Sequence, residues 1–194
     1  MTVREAGGAI PEDVARRIAL VVFDVDGVLT DAGVYLGRVW AAGHADDGSA
    51  IEFKRFDIQD GLGLKMLQWA GLNVVIVSGR ISEATRIRAE ELGVELFQDD
   101  LAQKVPAIQA VMDRLEIGWE QVAMLADDLP DVAVLRRVGL KAAVANASAI
   151  VAEMADWRSI RRGGYGAARE FCDALLMARG QYHDVVESYV RERS

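Results

Sequence analysis

Apolar residues in this chain fall into short unbroken runs separated by longer stretches with helical spacing. The runs are "LVVFDVD", "NVVIVSG", "VELFQD", "QVAMLADD" and "KAAVANA". Between them lie "DGLGLKMLQWAG", "SEATRIRAEELG", "QKVPAIQAVMDRLEIG" and "LPDVAVLRRVG", several of which stop at a glycine. A glycine just past a helix accepts the left-handed conformation that ends it. A strand apolar at consecutive positions is buried on both faces, and repeated strand–helix units bury it by laying helices on each side of a parallel sheet. The pattern predicts an α/β, Rossmann-like, three-layer fold. The polar site of such a fold lies beyond the carboxyl ends of the strands.

One stretch breaks the alternation. "GVYLGRVWAAGHADDGSAIEFKRFD" combines Gly and Asp turns with Val, Tyr, Trp, Ile and Phe. It predicts a β-hairpin excursion after the first strand, over about 33–57. Beyond Lys141 the pattern predicts a helix around Ala149–Met154 and a short strand near Trp157–Ile160, followed by "GGYGAAREFCDALLMARG". Tyr182, Val185, Val186, Tyr189 and Val190 recur at helical spacing and predict an amphipathic helix. The expected organisation is an N-terminal extension (1–18), one domain (19–180) and a tail helix (181–194).

Composition narrows the partners. The chain has 194 residues, 52% of them hydrophobic, which suits one domain, and no apolar run approaches the length of a membrane span. The first residues lack a basic-then-apolar leader pattern. The single cysteine, Cys172, rules out an intrachain disulfide framework and fits a reducing, cytoplasmic setting; its helical spacing with Phe171 and Leu175 makes it a core residue. His44 and His183 are the only histidines and are expected at the surface, so a His-rich metal site is not expected. A net charge of −8 argues against nucleic acid as a partner. It leaves an anionic small molecule open, because a bound metal reverses the local field.

The chemistry gathers at the predicted strand ends. The first strand closes on Asp24 and Asp26, the second on Ser78, Gly79 and Arg80, and the fourth on Asp127 and Asp128, with Asp131 just beyond; Lys104 opens a helix. Taken singly, an acidic pair after a strand reads equally as a turn, and a Ser-Gly as a helix cap. Converging on one sheet edge, so many carboxylates repel unless a cation sits among them. Carboxylates without His or Cys select a hard ion, Mg²⁺ above all. Serine, backbone N–H groups and lysine supply donors for phosphate. These parts suggest phosphoryl transfer, with one aspartate as nucleophile and the second as proton donor and acceptor.

"DVDGVLTD", "SGR", Lys104 and "DDLPD" resemble the four ordered motifs of the haloacid dehalogenase superfamily, a resemblance covering the chain from Ala19 onward. "DVDGVLTDAGVYLG", "DGLGLKML" and "GGYGAARE" look like its capless sugar-acid phosphatases, typified by 3-deoxy-D-manno-octulosonate 8-phosphate phosphatase. The intervals from Asp24 to Ser78 and from Ser78 to Lys104 leave no room for a separate cap domain. The resemblance implies Asp24 as nucleophile and Asp26 as acid/base. It implies Mg²⁺ on the Asp24 side chain, the Asp26 carbonyl and Asp127, with Asp128 and Asp131 behind them. It implies phosphate or substrate binding by Gly27, Ser78, Gly79, Arg80 and Lys104. In that family a homotetramer built around the hairpins closes the site, and the glycine-rich segment reaches a neighbour, which makes Arg169 a candidate substrate contact. Three departures stand out: Ala126 where the family has glycine, Gln59 where octulosonate enzymes have arginine, and a longer hairpin. The implied activity is Mg²⁺-dependent hydrolysis of an acidic sugar phosphate. The alternatives are a nine-carbon keto-acid phosphate, another small phosphate metabolite, or a non-catalytic regulatory or scaffold role.

Overall fold

The computed structural model describes residues 6–39, 49–99 and 103–194. Six strands form one sheet: β1 (Leu20–Phe23), β4 (Asn73–Ser78), β5 (Glu95–Gln98), β6 (Val122–Ala126), β7 (Leu140–Ala143) and β8 (Trp157–Arg158). Their order is β5-β4-β1-β6-β7-β8, and every pairing is parallel. The five predicted strands are present, and the short strand expected near Trp157–Ile160 completes the sheet as β8 over Trp157–Arg158.

The sheet has two buried faces, and the strand period of two divides them. Val21, Phe23, Ile76, Ala123 and Leu125 face one core with α1 (Glu12–Arg17), α2 (Ile58–Trp69), α3 (Glu83–Leu92), α7 (Ala167–Ala178) and α8 (Tyr182–Arg191). Leu20, Val22, Val75, Val77, Met124 and Ala126 face the other with α4 (Lys104–Leu115), α5 (Val132–Leu135) and α6 (Ala149–Met154). Alternate residues point to opposite faces, so an unbroken apolar run feeds both cores. The expected three-layer α/β fold is observed.

The hairpin stands apart from this sheet. β2 (Tyr35–Val39) pairs antiparallel with β3 (Ser49–Phe53), Tyr35 opposite Phe53 and Val39 opposite Ser49. Residues 40–48, which contain His44 and the rest of the predicted hairpin, lie outside the described residues. Leu36 is 74% exposed and Phe53 57%, so the ribbon carries apolar side chains that its own chain does not cover. Within the expected N-terminal extension, Ile10, Ala15 and Ile18 are buried. Arg179 ties that segment down by donating to the carbonyls of Ala15 and Ile18. Cys172 is fully buried, as its spacing predicts, and burial pushes its thiol pKa up. In α8 only Val185 is buried; Tyr189 lies on the ring of Trp69, with centroids 5.3 Å apart.

Candidate active site at the carboxyl edge of the sheet

β1 is the pivot of the site. It pairs with β4 on one side and β6 on the other, so the residues after all three strands emerge side by side. Sequence reading runs the strand through both aspartates, but β1 ends at Phe23. Asp24 continues extended, with its N–H on the Leu125 carbonyl, and the chain then coils through a tight turn, Val25–Leu29. Gly27 bends that turn at φ +97°. A Cβ at Gly27 would collide with the Asp127 carboxylate, so only glycine lets the turn approach β6 this closely. Thr30 staples the turn from behind, its hydroxyl donating to the Val25 carbonyl at 3.2 Å.

The turn separates the two carboxylates. Asp24 is buried and meets the ammonium of Lys104, at the start of α4; that ammonium also donates to Asp131 at 2.6 Å. Asp26 accepts from Lys54 at 2.7 Å and lies 3.6 Å from the Arg80 guanidinium. Asp31, the third acid of the run, is a turn former. It accepts from the Gly33 N–H and the Tyr35 hydroxyl where the chain enters β2.

One carboxylate oxygen from each of Asp24, Asp127 and Asp131 lies within 4.8 Å of the other two. Burial pushes the pKa of Asp127 and of Asp131 up, and the neighbouring Asp24 charge adds to it. Burial pulls the Lys104 pKa down, but Asp24 and Asp131 outweigh it and raise the pKa. Three carboxylates against one ammonium leave a surplus of negative charge in a dry site. The donors are all oxygen, which suits a hard divalent cation such as Mg²⁺. Asp131 belongs to this cluster directly, closer in than the sequence places it. Asp128 is exposed and precedes the short turn that carries Asp131, its backbone carbonyl accepting from the Asp131 N–H at 3.0 Å.

Asp24, Asp26, Ser78, Gly79, Arg80 and Lys104 line one cavity of about 250 Å³ with Asp127, Asp128 and Asp131. The Ser78 hydroxyl is buried and held by the Arg80 backbone, accepting from its N–H at 3.2 Å and donating to its carbonyl at 3.0 Å. Ala126 ends β6 and is buried within the second core, so the methyl that replaces the family's glycine is accommodated there.

Arg169 is not brought to this cavity by its own chain. With Gln59 and Arg161 it lines another cavity, of about 370 Å³, and its guanidinium pairs with Asp173 at 2.8 Å. The glycine-rich segment ahead of it lies against the chain's own turn. The Gly164 N–H donates to the Val28 carbonyl, and a Cβ at Gly163 would strike the Gly27 carbonyl.

Sequence reading missed the residues that the hairpin supplies. Glu52 accepts from Arg80 at 2.8 Å and from the Ser82 hydroxyl at 2.5 Å, and Lys54 reaches Asp26. Their spacing of two in an extended segment was the available signal. Asp60 was also missed. It is buried and accepts from the N–H groups of Gly166 and Arg169, fastening the start of α7 to α2.

Known proteins resemble this chain in sequence and in fold. A family of haloacid dehalogenase-like hydrolases matches residues 97–161. The 3-deoxy-D-manno-octulosonate 8-phosphate phosphatase of Escherichia coli K12 is 34% identical over 177 residues, spanning 90% of this chain and 89% of that protein. The crystal structure of a probable YrbI-family phosphatase from Pseudomonas syringae superposes with a TM-score of 0.81 at 43% identity, covering 92% of this chain and 96% of that one. The Moraxella catarrhalis 3-deoxy-D-manno-octulosonate 8-phosphate phosphatase, in complex with magnesium, phosphate and KDO, superposes with a TM-score of 0.80 at 31% identity, covering 92% and 97%.

Proposed function

The chain belongs to the haloacid dehalogenase-like hydrolases, in the family of the 3-deoxy-D-manno-octulosonate 8-phosphate phosphatases, and from that premise we propose that it is a Mg²⁺-dependent phosphomonoesterase for that sugar-acid phosphate. The observation that carries the reading is the separate tethering of two carboxylates two residues apart, Asp24 to Lys104 and Asp26 to Lys54 and Arg80.

In the proposed reaction Asp24 attacks phosphorus and the bond to the sugar oxygen breaks, leaving an aspartyl-phosphate. Asp26 gives its proton to the departing alkoxide. It then takes a proton from the water that attacks phosphorus and frees Asp24. Lys104, the Ser78 hydroxyl and the Gly79 N–H hold the phosphoryl oxygens, where charge is spread in the transition state. Gly27 keeps the turn close to Asp127. Asp24, Asp127 and the Asp26 carbonyl would hold Mg²⁺, with Asp131 beside them in the same carboxylate cluster and Asp128 at its exposed rim. Bound there, the ion neutralises charge between phosphate and carboxylates.

The site opens to the surface beside Arg80, which is half exposed and is assigned to the substrate. A homotetramer assembled through the hairpins closes it in this proposal. The uncovered Leu36 and Phe53 support that assembly, and a neighbour then supplies Arg169 to the substrate. A monomer by light scattering at assay concentration would sink this part. Among the described residues no helix is long and apolar enough to cross a membrane. With one fully buried cysteine, a cytoplasmic setting is proposed.

Phosphate release from 3-deoxy-D-manno-octulosonate 8-phosphate, nine-carbon keto-acid phosphates and hexose phosphates tests the reading. Turnover of the first, lost with chelator and in Asp24→Asn, is expected. Preference for a nine-carbon acid would change the substrate within the sugar acids, and equal turnover of hexose phosphates would favour another small phosphate metabolite, the reading that Gln59 on the Arg169 cavity motivates. No turnover of any phosphate by folded, Mg²⁺-loaded protein would favour a scaffold.

A further inference from the structure

Lys54 takes no step in the reaction as set out above, yet its side chain is buried and tied to Asp26. Its side chain is 1% exposed, and its ammonium donates to Asp26 Oδ1 at 2.7 Å. It does not line the cavity that holds Asp24, Ser78 and Lys104. It reaches Asp26 from behind, out of the hairpin.

The chain on either side of Lys54 is pinned. Two residues before it, Glu52 accepts from the Ser82 hydroxyl at 2.5 Å and from Arg80 at 2.8 Å. Two residues after it, Phe56 bridges antiparallel to Thr30, the residue that staples the Val25–Leu29 turn. The segment from β3 to Phe56 therefore spans both loops that flank Asp26. A long, flexible lysine loses much rotamer freedom when buried, and only a fixed anchor makes that placement persist.

We propose that Lys54 is the positioning residue for Asp26, holding one carboxylate oxygen so that the other faces the leaving oxygen and then the attacking water. This rests on the reading of Asp26 as the acid/base. Arg80 reinforces the hold on the second oxygen from the exposed side, at 3.6 Å. Without Lys54, Asp26 keeps only that looser contact, and its carboxylate rotates away from the leaving group.

Leaving-group chemistry gives the test. A sugar alkoxide needs a proton as it departs; a para-nitrophenolate does not. Because Asp26 also serves the water step, which is the same for either substrate, release of the leaving group in a single turnover with enzyme in excess is measured for 3-deoxy-D-manno-octulosonate 8-phosphate and para-nitrophenyl phosphate, in wild type, Lys54→Met, Asp26→Asn and the double variant. General acid–base catalysis contributes about 10²–10⁴-fold, so Asp26→Asn is expected to lose about that much on the sugar phosphate and far less on the aryl phosphate. Lys54→Met is expected to show the same selective loss, about 10- to 100-fold in the single-turnover rate, and to add nothing in the Asp26→Asn background. Equal losses on both substrates, or full additivity in the double variant, would overturn the proposal while leaving the Asp26 reading intact. A non-selective Asp26→Asn would remove that reading and the proposal together. Lys54→Gln, neutral but still a donor, is judged by the same criteria should Lys54→Met fail to fold.

Discussion

Two buried acidic centres in this molecule resemble each other in burial and differ in how their charge is answered. Asp60 and Asp131 are each 1% exposed. Asp60 stands at the head of α7, where two backbone N–H groups point at its oxygens. Those donors need an acceptor in any case, since the first turn of a helix leaves them without partners. Burial pushes the Asp60 pKa up to about 6, and the two N–H groups oppose the shift. Asp131 instead shares its space with Asp24 and Asp127, and one ammonium serves all three. The first arrangement is complete in itself. The second has more charge than the chain can answer, and that surplus suits it to a cation and a phosphate. Burial alone does not mark a functional carboxylate; unmatched multiplicity does.

The largest expected effect separates the two centres by activity. Asp24→Asn should lower phosphate release by at least about 10³-fold, as removal of a nucleophile does, with the fold intact by circular dichroism. Activity within tenfold of wild type would end the assignment of the reaction to this cluster.

Metal linkage comes next. Mg²⁺ at a hundred times its dissociation constant should stabilise the protein by about 2.7 kcal/mol, read as a rise in Tm. Asp127→Asn should shrink that rise, and Asp60→Asn should leave it whole. The same rise in Asp127→Asn as in wild type would place the ion elsewhere.

Removing the acceptor of α7 has a smaller cost. Asp60→Ala leaves two buried N–H groups without it and should lower unfolding stability by about 1–3 kcal/mol in a denaturant titration. Its response to Mg²⁺ should persist, and loss of that response would join the two centres into one.

The smallest effect concerns pH. The folded protein holds Asp60 protonated to a higher pH than the unfolded chain does, about 6 against the ordinary carboxylate value of 3.8. The folded state binds more protons in this window, so the Asp60 contribution to stability falls as pH rises from about 4 to about 6. The drop is on the order of 2 kcal/mol. Asp60→Asn should flatten stability across that window relative to wild type, and an unchanged slope would assign the titration to another group.

The elements were legible wherever a local pattern specifies them. Unbroken apolar runs marked β1, β4 and β6 because both faces of each are covered. The pattern also marked a helix around Ala149–Met154, where α6 is found. Asp24, Ser78, Lys104 and Asp127 were legible as chemistry because each stands where a strand gives way to a loop or a helix begins. The end of β1 was misplaced because Gly27 and Thr30 coil the chain one residue after Asp24, a turn stabilised by bonds within itself rather than by apolar rhythm.

The sequence by itself determined a parallel α/β sheet, its hairpin excursion and the acidic strand ends, because side-chain period, turn residues and charge type act over a few neighbouring positions. Only the tertiary structure decided that Asp131 joins Asp24 and Asp127, that Lys54 holds Asp26 across a separation of 28 residues, and that Arg169 faces a cavity of its own. Such contacts are set by how strands order and helices pack, and distance along the chain carries no record of distance in space.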